Sequence, residues 1–203
     1  MNMGWQWARL VAVSLSVLSG ATGAQAADLA SAKAAYDQKD FETAAQEFLV
    51  LAAQGDREAQ LAIGKMYMIG QAVKQDRDEA VKWFKAAAGA GSADAAFFLG
   101  AMYLLPQIDI PQGIKWLQQA ANQGLQDAQY LLGKAYTQGA DQLPRDPVQG
   151  AMWLKLAAKD NTEFSQTEVR AAESQMTPDQ ISKAAALVAA WKPSSRPDEP
   201  VKP

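Results

Sequence analysis

Histidine and cysteine are both absent from the 203 residues, which removes most of the usual catalytic chemistry. A Ser-His-Asp triad, a thiol nucleophile and a zinc site built on nitrogen or sulfur are all excluded. Carboxylates, Lys, Tyr and Ser remain. The densest acid group, Asp76 with Asp78 and Glu79, has a spacing that could do acid and base work or hold calcium. The same spacing, an acid followed three residues later by an acceptor side chain, recurs at Asp109–Gln112 and Asp146–Gln149, and this is how helices begin. Acids are also favoured in a first helical turn by the helix dipole. Glu58, Asp94 and Asp127 stand at equivalent starts. All are read as caps, so no catalytic residue, metal ligand or cofactor is assigned.

The elements that carry these caps recur. Gly64, Gly100 and Gly133 are each followed three residues later by a tyrosine (Tyr67, Tyr103, Tyr136), and each unit holds a tryptophan (Trp83, Trp116, Trp153). The glycines are 36 and then 33 residues apart, the period of helical-pair repeats. Every Trp lies 7 residues after its Asp, and each following Gly lies 17 after the Trp; only the Gly-to-Asp gap varies, at 12, 9 and 13. Two fixed helices, A and B, joined by one free loop account for this pattern. Helix B opens at the Asp, with Pro147 fitting the first helical position, and closes near Gly91, Gly124 and Asn161. Small residues follow each Trp (Ala86 to Ala88, Ala120 and Ala121, Ala157 and Ala158), and the helix A glycine is expected to leave room for a large ring opposite. Gly, Tyr, Trp and Ala-Ala are thus core positions. The Lys and Gln residues of helix B (Lys82, Lys85, Lys115, Gln118, Gln119) read as a solvated face. Tyr36, Asp40, Phe41, Ala44, Phe48 and Gly55 repeat the pattern with Phe in place of Trp, which makes residues 28–55 a degenerate first unit.

The run Ala59-x-x-x-Ile63-Gly64-x-x-Tyr67-x-x-Gly70-x-x-Val73-x-x-Asp76-x-x-x-Ala80-x-x-Trp83-x-x-x-Ala87 resembles the Sel-one-like repeat, a branch of the tetratricopeptide superfamily. Residues 128–158 match it well apart from Gly150 at the helix B alanine. The intervening copy departs more, with Leu105 and Pro106 in the turn and Gly113 at that alanine. The resemblance implies an all-α fold: a right-handed superhelical solenoid of about four antiparallel helix pairs (28–55, 59–91, 95–124, 128–161). It also implies a scaffold role and a concave groove lined by the A helices. Carried onto this sequence, the groove positions are Leu61, Lys65, Met68 and Ile69, then Phe97, Ala101, Leu104 and Leu105, then Tyr130, Lys134, Thr137 and Gln138. An apolar row (Leu61, Phe97, Tyr130) beside two lysines would suit an apolar peptide or helix carrying some acid. Phe97 and Phe98 are adjacent and cannot both face the core. The alternative from another class is a small-ligand or penicillin-type hydrolytic envelope protein, after cysteine-rich relatives of the repeat. Their cysteine pairs and a Ser-x-x-Lys motif in the repeats are missing here.

Residues 1–26 read as a signal peptide, with Arg9, an apolar run from Leu10 to Leu18 and Ala24-Gln25-Ala26 as cleavage site. The run is too short to span a bilayer, so a periplasmic or secreted monomer without a membrane span is expected. Its 18 Lys and Arg against 22 Asp and Glu beyond residue 26 give a net charge of −4, which disfavours nucleic acid as a partner. Without cysteine there is neither a disulfide framework nor a lipid-anchored N-terminal Cys. At the other end, Glu163 to Gln175 and a helix opened by Thr177-Pro178-Asp179-Gln180 should cap the stack over 162–192, with Ile181, Ala184, Ala185, Val188 and Trp191 facing inward. Residues 193–203 are proline-rich and charged and read as a disordered tail.

Overall fold

The computed structural model describes residues 28–104, 108–140, 142–160 and 162–194. The expected signal segment, the turn at Leu105 and Pro106, the terminator Asn161 and the tail from residue 195 lie outside the described residues. Among the described residues ten α-helices follow one another: α1 (Leu29–Asp37), α2 (Phe41–Ala53), α3 (Arg57–Ile69), α4 (Arg77–Gly89), α5 (Ala93–Leu104), α6 (Ile110–Asn122), α7 (Gln126–Gln138), α8 (Pro147–Ala157), α9 (Glu163–Glu173) and α10 (Pro178–Ala190). The pairs α1/α2, α3/α4, α5/α6 and α7/α8 stack as a solenoid, each B helix also packing on the next A helix. None of the described helices is long and apolar enough to cross a membrane.

Both turn types are set by repeated backbone chemistry. After α2, α4 and α6 the chain closes on Gly55, Gly91 and Gly124, with φ of 96°, 90° and 86°. The next N–H (Asp56, Ser92, Leu125) donates to the carbonyl five residues back (Leu51, Ala87, Ala120). This is the left-handed closure that glycine permits. Within each unit the loop length varies, but the Asp N–H always returns to the tyrosine carbonyl: Asp76 to Tyr67, Asp109 to Tyr103 and Asp146 to Tyr136, at 3.0, 3.2 and 2.9 Å. The Asp side chains then accept from Glu79, Gln112 and Gln149 N–H. Those N–H groups belong to the acceptor-bearing residues read in the sequence. A return bond from Glu79, Gln112 or Gln149 is not needed there, because the Asp N–H already donates to the tyrosine carbonyl. Thr177, opening α10, makes the full two-way capping box with Gln180.

The helix A glycine serves a close approach, but its neighbour is the residue after the Trp. A β-carbon on Gly64 would stand 2.7 Å from the Phe84 ring, on Gly100 2.6 Å from Leu117, and on Gly133 2.8 Å from Leu154. In the second and third units the helix B alanine is itself glycine. There a β-carbon on Gly113 would lie 2.9 Å from Leu104 N, and one on Gly133 3.1 Å from Gly150 O. The helices touch backbone to backbone. Trp153 is buried, whereas Trp83 and Trp116 are half-buried.

The face of helix B read as solvated is in part an interface between units. Gln118 Nε2 donates to the Tyr136 hydroxyl at 2.8 Å and Gln119 Nε2 to the Ala88 carbonyl at 3.0 Å. Lys85 Nζ stands 5.8 Å from the centre of the Tyr103 ring. Gln60 and Gln129, both buried, donate from helix A to Ala52 and Ala121 carbonyls at the end of the preceding helix B. Each of these carbonyls also accepts the closing glycine's N–H (Gly55 or Gly124), so the amides add a second bond at a helix terminus.

The C-terminal helices close the stack. Both α9 and α10 pack on α8. Ala184 is fully buried, and Val188 and Trp191 lie against the main core. Ile181 is half-buried, and Ala185 is exposed on the outer face.

Candidate functional site

The largest cavity among those described is an open groove of about 490 Å³. It runs along α1 and α3 and past the turns before α5 and α7. Its apolar surface comes from Tyr36, Phe48, Leu61, Ala62 and Leu125; its charges are Lys33, Arg57, Lys65, Asp37, Glu58 and Asp94. Three cations face three acids. The α1 and α3 walls are tied by an ion pair between Lys33 and Glu58, Arg57 Nη1 reaches the Ala90 carbonyl at 3.4 Å, and Lys65 Nζ lies 5.1 Å over the Phe98 ring. A balanced rim over an apolar floor suits an extended segment carrying both signs better than a uniformly acidic one.

The positions carried over from the resemblance separate in space. Leu61 and Lys65 line this groove. Met68 lies in a second hollow of about 450 Å³ with Phe98, Ala101 and Met102, on the surface where Arg77 bonds the Met102 carbonyl. Phe97 is half-buried, edge-on to Phe98 at 5.6 Å, and Phe98 stacks on Phe84 at 5.2 Å. The adjacent rings thus divide the interior between them, and neither is fully buried. Leu104 is a core residue, 9% exposed, pressed against Gly113; backbone contact between α5 and α6 draws it inward, so it lines no groove.

In the third unit α9 packs over part of the equivalent surface, and a hollow of about 330 Å³ lined by Tyr130, Leu154 and Glu168 remains beside it. Lys134 Nζ pairs with Glu168 at 2.8 Å, and this bond, ahead of opposing desolvation, raises the lysine's pKa. Tyr130 packs with Leu154, Val169 and Ala172. The Thr137 hydroxyl donates to the Gly133 carbonyl at 2.7 Å, back along its own helix. Sequence reasoning missed the turn residues of the groove, Gly91 to Asp94, Gln123 and Leu125, and the α1 residues Lys33, Tyr36 and Asp37. The repeat pattern marks A-helix positions, whereas this cavity follows the edge where the B-to-A turns line up.

Three successive stretches, 57–92, 93–125 and 126–161, match the model of the Sel1 repeat, about half of the chain. The chain belongs to the Sel1 repeat family. Its stacked helix pairs therefore form a Sel1 solenoid, a fold that generally serves as a protein-interaction scaffold. Among solved structures, it is similar to a protective antigen of uropathogenic Escherichia coli strains displaying an SLR fold, at 26% identity and a TM-score of 0.62. That match covers 72% of this chain but 34% of the antigen, so the chain spans about a third of that protein's length. A Sel1 repeat protein from Oxalobacter formigenes is similar at 29% identity and a TM-score of 0.55, over 62% of this chain and 96% of that one. No curated protein matches this Sel1 chain.

Proposed function

We propose that this Sel1 chain is a non-catalytic adaptor of the bacterial cell envelope that holds an extended protein or peptide segment in the groove along α1, α3 and the B-to-A turns. The carrying observation is that groove, with its apolar floor and balanced charges. Leu61 and Lys65 are the A-helix residues assigned to it, and export follows from the signal segment read over residues 1–26. The corresponding surface of the third unit is partly covered by α9, which leaves there a smaller hollow of about 330 Å³ and makes the groove of the first units the larger place to receive a partner. The chain acts as a monomer.

The test is crosslinking in the native host followed by affinity capture, comparing wild type with Leu61→Glu, each verified helical. A protein recovered by wild type and lost by Leu61→Glu supports the reading. Equal recovery by both refutes the groove, and fractionation of the same cells with the cytoplasm refutes the envelope assignment. Tyr130→Glu is the wrong probe, because Tyr130 packs against Val169 and Ala172 of α9 and its loss would perturb that packing as well as any binding.

A further inference from the structure

We propose that the partner segment runs from the groove along the cleft between α3 and α5, and that it carries an acidic residue between two apolar ones, with the acid on Lys65. This rests on the groove reading above and deepens it. The groove of about 490 Å³ and the hollow of about 450 Å³ share both helices. From α3 come Leu61 and Lys65 in the first and Met68 in the second; from α5 come Asp94 in the first and Phe98 and Ala101 in the second. In each helix these residues stand at the first, fifth and eighth places of one stripe, which is the spacing of a single helical face. The two stripes meet at mid-length, where Lys65 Nζ lies 5.1 Å over the Phe98 ring. The two hollows are thus the ends of one cleft, and Lys65 is the charge between them.

Charge decides what the middle of the cleft takes. Of the groove's three cations, Lys33 is paired with Glu58 and Arg57 reaches the Ala90 carbonyl. Lys65 makes no ion pair among the described residues; its neighbour is an aromatic face, which attracts an ammonium without cancelling its charge. The second hollow is lined by Arg77, bonded to the Met102 carbonyl, and by no acid. A carboxylate arriving at Lys65 therefore meets a cation that no acid has claimed. Both ends of the cleft are apolar, with Leu61, Phe48 and Tyr36 at one and Met68, Met102 and Phe98 at the other. Methionine walls adapt to apolar side chains of different shape. From Leu61 to Met68 the helix rises about 10 Å, and a polyproline-like segment covers about 9 Å in three residues while returning its side chain to the same face. The partner's apolar residues therefore stand about three positions apart, with the acid between them.

The probe is a labelled synthetic peptide with two leucines in that spacing and a proline and a glutamate between them, titrated into the chain beginning near Ala27 and followed by fluorescence anisotropy. A second peptide carries glutamine in place of the glutamate and a third carries lysine, so the charge changes without touching the protein. Wild type should bind the glutamate peptide about threefold to fivefold more tightly than the glutamine peptide, the scale of a partly exposed ion pair. Lys65→Gln, verified helical, should erase that difference, and Lys65→Glu should turn the preference to the lysine peptide. Ala101→Glu, which sets a charge in the second hollow, should weaken the glutamine peptide as well. No binding by wild type, equal affinity for the glutamate and glutamine peptides, or binding indifferent to Ala101→Glu overturns the proposal. Capture dependent on Leu61 is read separately: its loss in Leu61→Glu while the peptides fail leaves the adaptor reading standing, and unchanged capture refutes that reading even where the peptides bind.

Discussion

Alanine at two glycines gives the sharpest test of how these helices pack, because the same chemical change should act with opposite sign. Gly89 ends α4 with nothing within 4 Å of a new β-carbon. Alanine there recovers up to about 1 kcal/mol of helix propensity. Gly133 lies inside α7, where the β-carbon would stand 2.8 Å from Leu154 Cγ, 2.9 Å from Leu154 N and 3.1 Å from Gly150 O. Two of those three atoms are backbone and cannot rotate away. Overpacking of this kind costs about 1–3 kcal/mol, and the upper end applies when helix axes must separate. After the same propensity gain of about 1 kcal/mol, Gly133→Ala should lose about 2 kcal/mol. At roughly 2–4 °C per kcal/mol for a domain of this size, Gly89→Ala should raise Tm by about 2–4 °C and Gly133→Ala lower it by about 4–8 °C. Helical ellipticity followed through heat and urea measures both. If Gly133→Ala is as stable as Gly89→Ala, backbone contact between α7 and α8 is not what sets their spacing.

Three further outcomes follow from the same structure. Gln129 is 1% exposed and donates to Ala121 O at 3.1 Å; that carbonyl also receives Gly124 N–H at 2.9 Å, so Gln129→Leu should cost only about 1 kcal/mol by urea titration. The Lys134–Glu168 pair is partly exposed, and Lys134→Gln should change global stability by less than about 1 kcal/mol. It should nonetheless speed amide exchange in α9, by a margin that shrinks as salt is added. Tyr67 has its pKa raised, first by burial and then by Glu79 and Asp76. The folded state therefore keeps that proton longer than the unfolded chain does, and stability is full below about pH 10 and falls as pH rises past it. Tyr67→Phe should flatten that alkaline loss in urea titrations at successive pH values.

The helix pairs, their caps and the repeat register were legible in the amino-acid spacing. These depend on contacts within a few residues: an Asp accepting from the N–H three positions on, a glycine closing a helix, a Pro at the first helical position. Each leaves a local spacing that can be read directly. The core positions were legible in part for the same reason: the glycines and the alanines Ala87, Ala88, Ala120 and Ala121 are buried where helices meet, whereas Tyr67, Tyr103 and Tyr136 are half-buried and Ala86 is exposed. Three other features were decided only by tertiary structure. Which residue fills the space at the helix A glycine depends on how α3 and α4 are rotated about their axes, and rotation brought Phe84 there instead of Trp83. Whether glutamine on helix B faces water depends on the neighbouring units: Tyr136 of the next one stands opposite Gln118 and the Ala88 carbonyl of the preceding one opposite Gln119. The candidate groove arises because the B-to-A turns of successive units line up at one edge while α9 covers part of the third. No local spacing encodes that alignment; it is the sum of small rotations between units, and it separates Leu61 and Lys65 from Tyr130 and Lys134, although the repeat gives them the same register.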